Sequence, residues 1–182
     1  MKILGDKILH ETRWLKLVER TYLNKDNEEQ KWVLAQRNND CAAVMIIPYH
    51  YDENGKKTLV ITKEFRPALE GYEWGFPAGL IDDNEPVLKT AMRELHEETG
   101  LELDEVIMVS PPVYNSAGMT DESISMVWVK CSGTPTNKYQ EPGENIETFL
   151  MTPTDVDKLL RKNVKIGAKS WIIMKRFTRD EE

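Results

Sequence analysis

Short apolar runs separated by polar clusters recur along most of the chain, and two kinds of period can be read in them. "WLKLVERTYL" and "KWVLAQR" flank the polar stretch "NKDNEEQ", a pattern that predicts a β-hairpin. "CAAVMIIPYHY" and "KTLVITKEF" read as buried strands joined by "DENGK", whose residues tolerate tight-turn backbone angles. Further on, "VIMVSPPVY", "SISMVWVKCSG" and "NIETFLMTP" have the length and β-branched content of strands, whereas "PTDVDKLLRK" and "AKSWIIMKRF" read as helices. Between these groups, Leu88, Ala91, Met92 and Leu95 follow the i, i+3, i+4, i+7 spacing of a helix with a core-facing stripe. Pro86 suits its first helical position and Gly100 the left-handed residue that closes it. Strands surrounding a few helices predict a layered α+β or α/β fold with a mixed sheet. The charged stretch "KYQEPGENIE" is long enough for an active-site loop.

That helix carries an electrostatic oddity. Glu94, Glu97 and Glu98 lie within five residues and share a face, and each like-charge pair costs a few tenths of a kcal/mol. Taken alone, the three acids describe either a solvated face or a cation site. Grouped carboxylates offer hard oxygen ligands suited to Mg²⁺ or Mn²⁺.

Composition narrows the partners. The chain has 182 residues, 40% hydrophobic and 30% charged, which fits one main domain with a small appended element. A net charge of -7 argues against a nucleic-acid surface, and a phosphate-bearing substrate would need intervening cations. Cys41 and Cys131 lack metal-ligand spacing and could form at most one bridge, so a reduced, cytoplasmic setting is expected. The N-terminal "MKILGDKILHETRW" interrupts its apolar residues with charges, unlike a secretory leader, and no run reaches the length of a membrane span. His10, His50 and His96 are too scattered for a histidine ligand set and are read as structural.

The stretch "GLIDDNEPVLKTAMRELHEETGL" carries Gly79, Glu85, Arg93, Glu94, Leu95, Glu97, Glu98, Gly100 and Leu101 at the fixed spacings of the Nudix box. The chain therefore resembles the Nudix hydrolases, which cleave nucleoside diphosphates linked to another group. The resemblance implies an α/β/α sandwich carrying the box as loop, helix and loop. It assigns Glu94 and Glu98 as leading metal ligands, joined or supported by Glu97 and by the backbone carbonyl of Ala78. It pairs Arg93 with Glu85 to brace the motif, and Mg²⁺ is the expected ion, with Mn²⁺ as a substitute.

The flanks "KEFRPALEGYEWGFPAGLID" and "SPPVYNSAGMTDE" resemble the ADP-ribose and ADP-sugar pyrophosphatase branch. That likeness makes Arg66 a substrate contact, whose guanidinium suits bidentate phosphate binding, and places Leu80 in the pocket lining. It also assigns the water-activating base to Glu144 in "PGENIE", with Glu141, Glu147 or a box glutamate as alternatives. Where human-type enzymes carry an aspartate, this chain has Ser116, which leaves terminal-sugar selectivity open.

"RWLKLVERTYLNKDNEEQKWVLAQR" resembles the start of the same branch, in which tryptophans matching Trp14 and Trp32 sandwich adenine and an arginine matching Arg37 lies in the site. If the hairpin turns near Asp26 and Asn27, Trp32 lies opposite about Tyr22, and Trp14 is roughly 25 Å away at about 3.3 Å per residue. Two chains must then contribute to one base site. The expectation is a homodimer built on a hairpin element at 1–40, with a hydrolase domain at 41–182. The expected reaction converts ADP-ribose and water to AMP and ribose 5-phosphate. A GDP-mannose or other nucleotide-sugar hydrolase, or a nucleotide-sensing Nudix domain without turnover, are the alternatives.

Overall fold

The computed structural model describes residues 1–37, 42–82 and 84–179; Cys41 lies outside them. β1 (Lys2–Glu11), β2 (Leu15–Leu23) and β3 (Glu29–Arg37) form an antiparallel sheet in that order. The expected hairpin is present as β2 and β3, and β1 adds a third strand to it. β1 was hidden because irregularities between Ile3 and Gly5, and between Ile8 and His10, break its pairing with β2. Such bulges interrupt the period-2 alternation by which a strand is recognised. The hairpin register is corrected: Trp32 lies opposite Arg20, and Tyr22 faces Gln30.

The remaining strands are β4 (Ala43–Tyr51), β5 (Lys57–Arg66), β6 (Gly71–Gly75), β7 (Ala78–Leu80), β8 (Glu102–Val109), β9 (Val113–Tyr114), β10 (Ser123–Ser132), β11 (Ile146–Met151) and β12 (Lys165–Ile166). They form a nine-stranded sheet with the path β12-β6-β5-β4-β10-β8, while β11 pairs with β5, β7 with β4 and β9 with β10. The pairs β10–β4 and β12–β6 are parallel and the others antiparallel, so the sheet is mixed.

Helices α1 (Val87–Thr99), α2 (Pro153–Leu160) and α3 (Ala168–Phe177) complete the sandwich. The apolar run in β4 divides by parity, as side chains alternate across a sheet. Val44 and Ile46 pack with Ala91 and Leu95 of α1, whereas Met45 and Ile47 pack with Val156 of α2 and Met174 and Phe177 of α3. This is the expected α/β/α arrangement.

Helix α1 departs from its expected stripe. Ala91 and Leu95 are fully buried, but Leu88 and Met92 are 40% and 54% exposed. The inward face instead runs through Thr90, Ala91, Leu95, Glu98 and Thr99, admitting a carboxylate at a core position and leaving Leu88 and Met92 on the flank. Pro86 precedes the first helical residue by one place, with extended backbone, while Gly100 closes the helix in the left-handed conformation with φ 73°.

Candidate active site

Strand β7 delivers Ala78, Gly79 and Leu80 to the edge of α1, and close approach to that helix explains the small residue in the middle. A Cβ on Gly79 would overlap the Glu94 carboxylate, so only glycine lets β7 approach this helix face. Arg93 then ties the segment together. Its guanidinium contacts Glu85 at 3.3 Å, Glu94 at 2.8 Å and Glu97 at 2.9 Å, and donates to the Leu80 carbonyl at 3.4 Å. Burial opposes its charge, but Glu94, Glu97 and Glu85 outweigh that and raise its pKa. Glu85 also accepts a 2.9 Å hydrogen bond from the Thr90 hydroxyl, the leading cause of its lowered pKa.

Glu98 is 5% exposed. One of its carboxylate oxygens accepts from the Ala78 N–H at 3.2 Å, yet burial, with Glu94 and Glu64 nearby, pushes its pKa up to about 9. Burial raises Glu94 as well, against the opposing charge of Arg93. Both shifts record negative charge held in a poorly solvated place.

The "EPGE" segment brings in two more acids. Glu144 N–H donates to the Glu141 carbonyl at 3.0 Å, and Gly143 has φ 101°, as a turn with proline then glycine at its centre requires. The Glu144 carboxylate accepts from the Glu141 N–H at 2.9 Å. Gln140 anchors the loop to α1 and β11, donating to the carbonyls of Glu98 at 3.1 Å and Ile146 at 2.7 Å. The result is a cavity of about 330 Å³ bounded by Ala78, Leu80, Arg93, Glu94, Glu97, Glu98, Glu141 and Glu144, together with Gly79 and Asp82. Glu147 lies elsewhere, paired with Lys63 at 2.6 Å across β11 and β5.

Other expected site residues occupy separate places. Arg66 lines a smaller cavity of about 110 Å³ with Glu64, Glu73 and Ser170, and Ala78 borders both cavities. Trp32 lines a third cavity of about 390 Å³ with Tyr22, Leu34 and Tyr114, and its indole N–H donates to the Gly118 carbonyl at 3.1 Å. Arg37 pairs with Glu122 at 2.8 Å, and the Ser116 carbonyl accepts from the N–H groups of Met119 and Thr120, forming the turn beneath Trp32. Trp14 is 64% exposed beside the Arg13 guanidinium, which is 4.6 Å from its ring centre. With Trp32 opposite Arg20, Trp14 is six residues from that position, about 20 Å along β2. The expected separation of roughly 25 Å is therefore shortened. Asp82, Glu64, Glu73 and Gln140 had not been singled out. A signal existed only for Glu64, which lies two residues from Arg66 on the same strand and so on its face.

The donors are all oxygens, and burial, with neighbouring carboxylates adding to it, keeps Glu94 and Glu98 above their ordinary pKa, so the residues fit a hard divalent cation. They do not form a closed cage as they stand. Among the described residues, no three His, Cys, Asp or Glu side chains are grouped to hold an ion. Arg93 draws Glu94 and Glu97 to itself, and Ala78 turns its N–H toward Glu98. Glu94, Glu97, Glu98 and Ala78 are the groups at this place that could hold a cation.

Known proteins resemble most of the chain. An ADP-ribose pyrophosphatase of Saccharomyces cerevisiae is 30% identical over 92% of this chain and 80% of its own length. An ADP-sugar pyrophosphatase of Mus musculus is 29% identical over 92% of this chain and 79% of its own. A crystal structure of an ADP compounds hydrolase superposes with a TM-score of 0.72 and 19% identity, covering 97% of this chain and 93% of that one, and shares the fold. The NUDIX domain model matches residues 40–172. With Gly79, Arg93, Glu94, Glu97 and Glu98 of the box lining one acidic cavity and the family model spanning most of the sequence, this chain belongs to the Nudix hydrolases.

Proposed function

We propose that this chain hydrolyses the diphosphate of ADP-ribose, and of related ADP-sugars, to AMP and a sugar phosphate, with Mg²⁺ as its natural ion and Mn²⁺ as a substitute. The observation that carries this reading is the shared wall at Ala78, which joins the carboxylate cavity to the one holding Arg66. A bound diphosphate there would meet anionic cation-binding groups on one side and a guanidinium on the other. The names of the yeast and mouse relatives supply the substrate class.

A divalent ion held there would neutralise phosphate charge and lower the pKa of water. The protein residues do the rest. Glu144 accepts the proton of the attacking water as the bond to the bridging oxygen breaks, and its turn with Glu141 fixes where that carboxylate sits. Glu141 is the alternative base, since it borders the same cavity, whereas the Lys63 pair removes Glu147. Arg93 and Glu85 brace the loop and helix, Arg66 contacts phosphate, Leu80 lines the pocket and Ser116 meets the terminal sugar. Trp32, with Trp14 from a second copy, stacks on adenine, and Arg37 borders the base. Residues 1–40 are then a dimerisation element and 41–182 the hydrolase unit.

A cytoplasmic setting is supported by Cys131, a buried free thiol whose pKa burial pushes up to about 12. No helix among the described residues is long and apolar enough to cross a membrane. Incubating the purified protein with Mg²⁺ and a panel of ADP-, GDP- and UDP-sugars tests the assignment. AMP released from ADP-ribose is the expected result. Faster turnover of GDP-mannose would replace the substrate, and binding without any turnover would make the domain a sensor.

A further inference from the structure

Strands β5 and β6 present a pairing that sheet energetics disfavours. Glu64 lies directly opposite Glu73 in the antiparallel register, and like charges in that position repel. Arg66, two residues after Glu64, resolves the conflict. Its guanidinium is 2.7 Å from Glu64 and 3.5 Å from Glu73. The residue opposite Thr62 is Gly75, so the neighbouring strand offers no side chain there and the small cavity stays open beside the guanidinium. At Gly71, opposite Arg66, the Lys165 side chain takes the space.

The two acids are not equivalent. Glu73 is packed against the start of α3, where a Cβ on Gly167 would come within 3.0 Å of its carboxylate. Gly167 is the N-cap of that helix, and a helix N-terminus favours an anion. Glu73 therefore has a second source of stabilisation, which leaves the shorter contact with Arg66 to Glu64. Glu64 is half buried, and burial raises its pKa while Arg66 opposes the rise. Arg66 keeps 45% of its side chain exposed, enough to meet a ligand while its base is held.

We infer that Glu64 is a positioning residue for substrate binding: its contact with Arg66, backed by Glu73, presents the guanidinium at the wall shared by the two cavities. The inference rests on Arg66 being a phosphate contact. A merely structural ion pair on the sheet would influence stability instead, because exposed pairs contribute little beyond that.

Steady-state kinetics with ADP-ribose and Mg²⁺ on Arg66→Ala, Glu64→Ala, Glu64→Gln and the double alanine variant provide the test. Arg66→Ala is expected to raise KM. Glu64→Ala is expected to raise KM about tenfold with kcat within about threefold, the pattern of lost binding shared by ground and transition states. Glu64→Gln keeps an acceptor oxygen for the guanidinium and should recover most of that loss. The double variant should be no worse than Arg66→Ala, because both changes remove one interaction. Thermal melts accompany each variant, and should Glu64→Ala not fold, Glu64→Thr carries the same expectation. A wild-type KM for Glu64→Ala, or a penalty that adds fully to that of Arg66→Ala, would overturn the inference while leaving the proposed function standing. An unchanged KM in Arg66→Ala would instead remove Arg66 from the substrate site, and the inference with it.

Discussion

Glu98 occupies a position that packing alone would give to an apolar side chain, with Ala91 and Leu95 on the same inward stripe of α1. The folded chain holds its proton up to about pH 9, whereas the ordinary carboxyl value is 4.5. The folded state therefore binds this proton more tightly between those values, so in metal-free protein the contribution of this carboxyl to stability is fully present below the lower value and falls as pH rises toward the upper. Melting temperatures in chelator across that window should show this fall, and Glu98→Gln should flatten it. The same variant, with Mg²⁺ restored, should lose turnover by orders of magnitude. Near-wild-type activity would remove Glu98 from the cation site. Gly79→Ala tests the neighbouring wall. Its methyl group must displace the Glu94 carboxylate, so activity should fall sharply, and a wild-type rate would show that Glu94 need not sit where it does. At this scale the box was legible because its spacing is local. Glu73 and Asp82 were not, because their contribution depends on strand register and loop path, which no local spacing records.

At the level of elements, a loop and a helix cap separate catalytic from structural effects. The "EPGE" turn is fixed by its own hydrogen bonds and by Gln140, so Glu144→Gln should preserve the loop while lowering kcat, with little change in Mn²⁺ affinity by titration. Weakened Mn²⁺ binding would reassign Glu144 to the cation shell. Thr152 caps α2, its hydroxyl accepting from the Asp155 N–H at 3.3 Å in a reciprocal capping box. Thr152→Ala should cost about 1 kcal/mol in denaturant unfolding and leave kcat/KM unchanged. A loss of activity at full stability would tie α2 to the site. Strands with continuous apolar runs and helices with clean periods were legible, since the sandwich buries both faces of β4. Short β6, β7, β9 and β12 were not, because two to five residues carry too little pattern to distinguish strand from loop. β1 failed for another reason: Ile3 stands beside Leu4 and Ile8 beside Leu9, which breaks the alternation, and the pairing with β2 shifts register at both places.

For the whole molecule, the N-terminal sheet carries the largest exposed strand. All ten residues of β1 are exposed, including Ile3, Leu4, Ile8 and Leu9, and a long apolar edge strand is normally covered. β3 is anchored to its own chain through Trp32 to Gly118, Ala35 to Met119 and Arg37 to Glu122, which holds Trp32 against the 114–122 segment. Among the described residues, Trp14, about 20 Å away by strand register, shows no hydrogen bond to that segment, and this separation is too long for one base to stack on both tryptophans of a single chain. A homodimer in which Trp14 reaches the partner's Trp32 cavity would satisfy both observations. Trp14→Ala and Trp32→Ala should each raise KM for ADP-ribose, with a stacking loss of about 1–3 kcal/mol. Mixing the two variants then gives the decisive measurement. In each mixed dimer one site lacks both tryptophans and the other keeps both, so subunit exchange should restore high-affinity turnover to half of the mixed dimer's sites. If one chain supplied both tryptophans, every site in the mixture would lack one, and KM would stay raised. Light scattering that returned a monomer at assay concentration would defeat the shared site before any mixing was done.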